Sequence, residues 1–502
     1  MSSLGKVVLV GAGPGGAGLL TLRGAEVLRD ADTVVYDRLV SDEILDMIPD
    51  GAERVFVGKE SGRHAVPQSE INEILLRCAL DGKLTVRLKG GDSFLFGRGG
   101  EELELLAQNG VPFEVVPGIT SSFAVPAYAG IPVTHRDFCS SVHVVTGHAR
   151  ENGELSIDFA ALVRTEGTLV FLMSIASMSK LTDGLIAAGM VGDMPAAVIE
   201  NGARPTQRVT LGTVSDIAAL SKERRVKSPA LLVVGKVCAL HEKFDWFGAL
   251  PLLGKRVVVT RPRDRAGTLT SRLRTLGADV LGYPCIVTRH IEDNAAAEAA
   301  LQSLENYAWL AVTSPQGVAS LARLLENLAL DSRCFAPVKI AAIGSETTAE
   351  LSKLGLRADY VPTSYNAVAF ANGLTERAQS GERVLILRAA EGVPELAEIL
   401  SGHGAVVDDL AVYRTEYTSD KSAEVAAAIS DGDFDFLCFT SASTVRGFTQ
   451  SLDGTDFTGL RAVCIGAATE KEALKYGFST VTPPNATLDG MIEILIHESE
   501  GK

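Results

Sequence analysis

No run of about 18 apolar residues occurs in the 502-residue chain, which excludes an ordinary membrane-spanning helix. A basic excess is missing too: 47 Lys and Arg face 62 Asp and Glu, a formal charge of −15. The deficit holds in each half, 24 against 30 in residues 1–250 and 23 against 32 in 251–502, so a nucleic-acid-binding surface is not expected. Cysteine is scarce and badly spaced for cross-linking. The seven residues (78, 139, 238, 285, 334, 438, 464) are odd in number and never form CxxC, which argues against a disulfide scaffold or a zinc site and for a reducing, cytoplasmic setting. The opening MSSLGKVVLVGAG has one Lys before a short apolar run that passes directly into a strand and loop, and does not read as a cleaved signal. What is present is ordinary for a soluble α/β enzyme: 46% hydrophobic and 22% charged residues, 49 Gly and 19 Pro. The length calls for two to four domains, at about 100–200 residues each.

Short β-branched runs alternate with longer Ala/Leu-rich amphipathic stretches: KVVLV, TVVYD, LTVRLKGG, FEVVPG, SVHVVTG, TLVFLM and ALLVVGKV. Such runs predict parallel strands covered by helices on both faces. A break at HEKFDWFGALPLLGKRVVVTRPR places a domain at 1–245, a linker at 246–252 and a second half at 253–502. That second half repeats itself. GKRVVVTR (254–261) matches GERVLILR (381–388), and LAVTSPQGVASL (310–321) matches LCFTSASTVRGF (437–448), both at an offset of 127. Gly277 and Gly404 keep the same spacing, and IAAIGSETTAELSKLGLRADYVP pairs with AVCIGAATEKEALKYGFSTVTPP at an offset of 122. Four matched blocks in one order imply two α/β lobes, expected at about 253–288 plus 416–502 and at 289–415, with a ligand site where lobes meet.

Three glycine-bearing loops in the first half carry the chemistry. Gly11, Gly13 and Gly16 fit GxGxxG after a strand, and Asp37 follows the next strand. Taken alone, that pattern reads as a nicotinamide-dinucleotide fold, so an NAD-dependent oxidoreductase fused to a two-lobed ligand-binding domain is the competing reading. A second loop, Lys89-Gly90-Gly91-Asp92, lets a ligand approach the backbone closely, with Asp92 as an acceptor and Phe94 and Leu95 as apolar contacts. The third sets Thr120 and Ser121 before a helix, where either is equally well a helix cap. Ligands of open α/β sheets bind at this carboxyl-terminal strand edge.

The motifs VGAGPGGAGLLTLRG, VVYDRLVS, VGKESGRHAVPQ, RLKGGDSFLFGRGGEE, VVPGITSS and GIPVTHRD closely resemble the tetrapyrrole methylase family, and within it the uroporphyrinogen-III C-methyltransferases, over about residues 5–245. The resemblance implies S-adenosylmethionine as methyl donor, held by Gly13, Pro14, Gly90, Gly91, Asp92, Leu95, Thr120, Ser121, Met173 and Gly202. It also implies Asp37 as proton acceptor and Lys59 as proton donor, and a homodimer formed through this half. Gly16-Ala17 departs from the family's usual Asp-Pro or Asp-Ala, and these two positions are left out of the site. The chemistry fits independently: a methyl sulfonium needs chiefly to be held in line with an electron-rich pyrrole carbon, and the methylated ring then needs a base. An acceptor bearing eight carboxylates needs a local basic rim. Residues 51–100, with eight Lys and Arg against six acids, supply Lys59, Arg63, Arg87, Lys89 and Arg98, extended by Arg38, His135, Arg136 and Arg204.

The second half shows no phosphate loop, metal cluster or triad spacing, and His290, His403 and His497 read as isolated surface or loop residues. Thr313-Ser314 and Thr440-Ser441 recur at strand ends, where hydroxyls and helix N-termini hold carboxylates, with Arg261 and Arg388 at matching positions as further clamps. TRPRDRAGTLTSRLRTLGADVLGYP, AVTSPQGV, IAAIGSETTAELSKLG, AVYRTE, FTSASTV and CIGAATEKEALKYG together resemble the uroporphyrinogen-III synthases. That implies cofactor-free closure of linear hydroxymethylbilane with inversion of its last ring, Tyr413 assisting departure of the hydroxyl and Thr313, Ser314, Thr440, Ser441 and Arg261 holding substrate carboxylates. The substrate set is therefore small tetrapyrroles. In the first half Arg38 and Arg63 are the carboxylate-binding candidates. The two resemblances together predict a bifunctional enzyme that makes uroporphyrinogen III and methylates it at C-2 and C-7 to precorrin-2, on the way to sirohaem or cobalamin.

Overall fold

The computed structural model describes residues 4–58, 66–148, 155–261, 263–364, 366–392, 394–418 and 422–500. The chain divides into two compact units, one built mainly from residues up to Lys255 and the other mainly from Arg256 onward.

In the first unit, β1 (Lys6–Gly11), β2 (Thr33–Tyr36), β3 (Glu53–Phe56), β4 (Leu84–Lys89) and β5 (Phe113–Val116) form a parallel sheet in the order β3-β2-β4-β1-β5. Successive strand residues face opposite sides, so the Val/Leu run of β1 feeds two cores. Val8 and Val10 pack with Val34, Val86 and Leu88 against the helix Leu22–Arg29. Val7 and Leu9 pack with Val35 against the helices Gln68–Leu80 and Gly99–Gln108. Burial on both faces is what made these strands read as unbroken apolar runs.

The next five strands, β6 (Val142–Thr146), β7 (Thr168–Leu172), β8 (Pro195–Glu200), β9 (Arg208–Thr213) and β10 (Ala230–Val234), lie in the order β6-β7-β10-β8-β9. Here the all-parallel expectation needs correcting. In this sheet β6 and β7 are parallel neighbours, whereas β10 runs antiparallel to both β7 and β8, and β8 antiparallel to β9. An apolar run such as ALLVV reports burial on two faces and carries no information about direction. Past the last strand, Trp246 donates from its indole N–H to Ala127 O at 3.0 Å, and Trp246 and Phe247 pack on the Tyr128 ring.

The second unit contains β11 (Arg256–Val259), β12 (Asp279–Gly282), β13 (Ile286–His290), β14 (Trp309–Val312), β15 (Lys339–Ala342), β16 (Arg383–Ala389), β17 (Val406–Tyr417), β18 (Phe436–Phe439), β19 (Arg461–Cys464) and β20 (Ser479–Val481). They form two five-stranded sheets, β12-β11-β18-β19-β20 and β13-β17-β16-β14-β15. The sequence repeat matches β11 with β16, β14 with β18 and β15 with β19. Laid over the sheets, the match gives the same order twice, but each sheet draws its halves from different copies. β11 pairs with β18 of the later copy (Val257 opposite Phe436), whereas β14 of the earlier copy pairs with β16 (Leu310 opposite Leu385). The two copies have exchanged halves. In the second sheet Leu310, Val312, Leu385 and Leu387 face one core, and Trp309, Ala311, Val384 and Ile386 the other.

Candidate functional site

The site in the first unit is made by loops that leave the carboxyl-terminal edge of the parallel sheet. GAGPGG follows β1 but does not open a helix directly: a single 3-10 turn spans Ala17–Leu19 and the α-helix starts only at Leu22, capped by Thr21, whose Oγ1 accepts from Gly24 N–H at 3.1 Å. A dinucleotide pyrophosphate needs the glycine turn to run into the helix N-terminus, and this turn stops six residues short. The glycines interlock the loops instead. Gly13 N–H donates to Gly91 O (3.1 Å) and Gly91 N–H to Gly13 O (2.8 Å), zipping the first loop to the second. A methyl at Gly118 would stand 2.2 Å from Gly91 O and 2.6 Å from Gly11 Cα, so close approach of all three backbones demands glycine there.

Asp92 locks the arrangement. Its Oδ1 accepts from Phe94 N–H (2.9 Å) and Leu95 N–H (3.1 Å), and its Oδ2 from Gly118 N–H (2.9 Å). Asp92 is therefore a staple between the second and third loops as well as a cavity-wall residue. Thr120 is the N-cap of the helix Ser121–Tyr128, its Oγ1 accepting from Ser122 N–H at 3.3 Å, and both Thr120 and Ser121 face the cavity.

These loops and three from the mixed sheet enclose about 410 Å³. Gly13, Pro14, Gly90, Gly91, Asp92, Leu95, Thr120, Ser121, Met173 and Gly202 all line it, so the ten positions expected to hold the donor converge on one cavity. Met173 lies one residue past β7, half exposed and at φ 55°, rather than inside a strand. Asn201 (φ 49°) and Phe96 (φ 52°) also line the cavity in the left-handed region, a conformation that non-glycine residues keep only where surrounding structure enforces it. The volume and the mixed lining of glycine backbone, hydroxyls and apolar side chains suit a nucleoside-sized ligand.

Asp37 and Lys89 stand in the same wall. Asp37 Oδ1 accepts from Leu39 N–H (3.0 Å), and its Oδ2 faces Arg87 Nη2 at 3.4 Å. Arg87 and Lys89 are not rim cations as the sequence implied. Their side chains are 4% and 7% exposed, and both pair with the fully buried Glu102 Oε1, at 3.1 and 2.7 Å. Burial, reinforced by the charge of Arg87, pushes the Lys89 ammonium below its usual pKa, while Glu102 pulls it back. Arg98 is also engaged, with Glu101 on the surface. Arg204 lines the cavity and donates to Leu39 O (2.6 Å) and Pro14 O (3.5 Å); burial lowers its pKa. Arg38 is exposed and, like His135 and Arg136, outside the cavity lining. Lys59 and Arg63 lie outside the described residues.

In the second unit a cavity of about 190 Å³ opens at the carboxyl-terminal edge of β14–β17, lined by Thr313, Arg388, Asp409 and Tyr413 among apolar neighbours. Ser314 caps the helix Pro315–Asn327, its Oγ accepting from Gly317 N–H (3.0 Å) and lying 2.8 Å from Tyr413 Oη. Ser441 caps the helix Ala442–Ser451 in the equivalent place, with Thr440 directly before it. The matching arginines differ. Arg388 is committed to a two-pronged bond with Asp409 (2.6 and 2.7 Å), while Arg261 is a half-buried residue just past β11. His290 is not in a loop: it sits in β13 opposite Tyr413, with Nδ1 2.7 Å from Ser320 Oγ. His403 caps a helix end, and His497 is on the surface as expected.

Sequence reasoning missed Glu102. Its signal was Arg87 and Lys89 two apart on one strand, which places both on one sheet face and demands a buried counter-charge.

Comparison with known proteins separates the same two halves. Residues 6–218 match the Tetrapyrrole (Corrin/Porphyrin) Methylases and residues 267–493 match Uroporphyrinogen-III synthase HemD. The chain is 48% identical over 497 residues to a porphyrin biosynthesis protein HemD of Ruminiclostridium josui, covering 99% of both chains. It is 55% identical over 243 residues to siroheme synthase 2 of Klebsiella pneumoniae, covering 48% of this chain and 52% of that one. Among solved structures, a uroporphyrin-III C-methyl transferase of Thermus thermophilus complexed with S-adenyl homocysteine is 38% identical, with a TM-score of 0.41 over 47% of this chain and all of that chain. With a relative of this identity along its whole length and both family patterns in order, the chain belongs to the tetrapyrrole-biosynthesis family in which a tetrapyrrole methylase is fused to a uroporphyrinogen-III synthase.

Proposed function

We propose that the first half transfers two methyl groups from S-adenosylmethionine to C-2 and C-7 of uroporphyrinogen III, giving precorrin-2. The second half makes that substrate by closing hydroxymethylbilane without a cofactor. The observation that carries the reading is the 410 Å³ cavity, in which all ten expected donor-binding residues share one wall system with Asp37. When bound, the sulfonium supplies an activated methyl group. The protein's part is to hold and to deprotonate. Leu95, Val125, Met173, Ile199 and Leu231 give the cavity apolar walls that exclude water, and the Gly90-Gly91 backbone lets a ligand lie close. Asp37, its carboxylate oriented by Leu39 N–H and Arg87, takes the proton released when the methylated ring regains neutrality. Arg204 has guanidinium N–H groups beyond the two given to backbone carbonyls and is the wall cation suited to a substrate carboxylate.

In the second half, Tyr413 Oη with Ser314 assists loss of the bilane hydroxyl, and the helix N-termini capped by Ser314 and Ser441 hold carboxylates. The functional domains run 1–245 and 253–502, joined by 246–252. A homodimer forms through the first half, supported by the exposed Leu39, Phe94, Ile119 and Phe123 on its loop edge. No helix among the described residues is long and apolar enough to cross a membrane. Purified protein given hydroxymethylbilane and labelled S-adenosylmethionine should yield a doubly methylated tetrapyrrole. Uroporphyrinogen III without label, or the I isomer alone, would remove one or both halves of the proposal.

A further inference from the structure

Four charged groups form a continuous chain behind the cavity wall: Lys89, Glu102, Arg87 and Asp37. Both ends line the cavity, while Glu102 in the middle is fully buried. Arg87 and Lys89 lie two apart on β4 and so share one sheet face, and the helix Gly99–Gln108 brings Glu102 between them. Every arm of the Arg87 guanidinium is assigned. Nε donates to Glu102 Oε1 (3.1 Å), Nη1 to Val35 O (3.3 Å) and Leu88 O (3.1 Å), and Nη2 points at Asp37 Oδ2 (3.4 Å). Lys89 Nζ shares the same Glu102 oxygen at 2.7 Å, while Oε2 has no hydrogen-bond partner among the described residues. Gln68 Nε2 also donates to that oxygen, at 3.3 Å, so Glu102 binds the two cations and one amide through a single oxygen.

Burying such a cluster is costly, and well-packed apolar residues of similar volume often leave a protein as stable or more so. Stability alone does not account for it. What the cluster achieves is geometric: a planar fork, fixed on one side by Glu102 and two carbonyls, presents its last edge to the carboxylate in the wall. We infer that Arg87, anchored by Glu102 and Lys89, is a positioning residue for proton abstraction, fixing the Asp37 carboxylate in the orientation in which it meets the methylated ring. The inference rests on the proposed role of Asp37 as proton acceptor.

The test is a double-mutant cycle on the full chain, using single-turnover methyl transfer to uroporphyrinogen III together with S-adenosylhomocysteine affinity. Arg87→Met should lower the transfer rate about ten- to a hundredfold, the size expected of a misplaced catalytic group. Homocysteine-nucleoside affinity should stay within about twofold, because the donor-binding wall is untouched. Arg87→Lys, which keeps the charge but not the fork, should recover part of the rate. In an Asp37→Asn background, adding Arg87→Met should change the rate less than about threefold, because coupled residues are non-additive. Equal losses in both backgrounds, or a parallel fall in nucleoside affinity, would overturn the positioning role and leave the base assignment standing. An Asp37→Asn protein of undiminished rate would overturn the base assignment itself, and the inference with it. If Arg87→Met lacks a cooperative unfolding transition, the same cycle is read with Arg87→Lys.

Discussion

Gly91 and Gly110 make a matched pair for asking whether the cavity is a ligand cradle or only a turn. Both hold left-handed backbone, at φ 68° and 64°. An added methyl at Gly110 meets nothing within 4 Å, and at Gly91 meets only Ser121 N at 3.8 Å. Alanine therefore has room at either position, and its backbone cost should be alike, about 1–2 kcal/mol. For units of this size that predicts a fall in Tm of roughly 2–4 °C per kcal/mol. Only Gly91 lines the cavity. With a nucleoside bound, the methyl of Gly91→Ala would overpack its contact surface, a cost of about 1–3 kcal/mol. That converts to roughly a five- to 150-fold weaker Kd for S-adenosylhomocysteine. Calorimetric titration and thermal unfolding of both variants separate the two effects. Gly110→Ala should lose stability and keep affinity, whereas Gly91→Ala should lose both. Unchanged affinity in Gly91→Ala, with a Tm shift equal to that of its partner, would refute the cradle.

Other expectations concern different parts of the molecule. Tyr413→Phe removes the Oη that meets Ser314 at 2.8 Å and should slow formation of the III isomer at least about tenfold, measured by isomer separation after oxidation, while methylation of supplied uroporphyrinogen III is unaltered. All seven cysteines are free thiols, and Cys238, Cys285, Cys438 and Cys464 are pushed up to about 12 by burial. Disulfide-exchange reagents at neutral pH should therefore modify no more than the half-exposed Cys139 and Cys334 quickly, and rapid reaction of further thiols would contradict the packing. Glu114 bonds Lys6 and Arg23, which hold its carboxyl near 2 instead of the ordinary 4.5. A depressed acid stabilises fully above its unfolded pKa and loses that contribution as pH falls through the folded value. Glu114→Gln should accordingly reduce the pH dependence of stability between about 4.5 and 2 while leaving catalysis alone, as an acid titration followed by circular dichroism would register.

Much of this arrangement was legible in the chain itself, for physical reasons that also explain the remainder. Gly11 and Gly118 mark close backbone approach because side chains cannot fit there, and Gly91 holds left-handed backbone, so loops at strand ends could be recognised one by one. Their mutual zipper could not, since the Gly13–Gly91 bonds join segments distant in sequence. Strand existence was visible for the same reason that strand direction was not: apolar runs record burial, and β10 had to be placed by its partners. Arg87 and Lys89 looked like solvent-facing clamps because a charge in sequence defaults to the surface, and only Glu102 across the sheet face makes their burial tolerable. Asp92 was read for its acceptor capacity, and three backbone N–H groups already draw on it.

The exchanged halves of the repeat set an order of events during synthesis. Strands β13 to β17 are contiguous in the chain, so that sheet can close as soon as Tyr417 has emerged. The other sheet cannot. Thr260, at the end of β11, bonds Cys438 across 178 residues, and at about 5–20 residues per second the ribosome delivers that partner roughly ten to forty seconds later. Through that interval β11 presents an open edge whose Val257–Val259 run is fully buried once paired. A nascent chain stalled before Phe436 should depend on chaperone cover, and one stalled beyond Val481 should not.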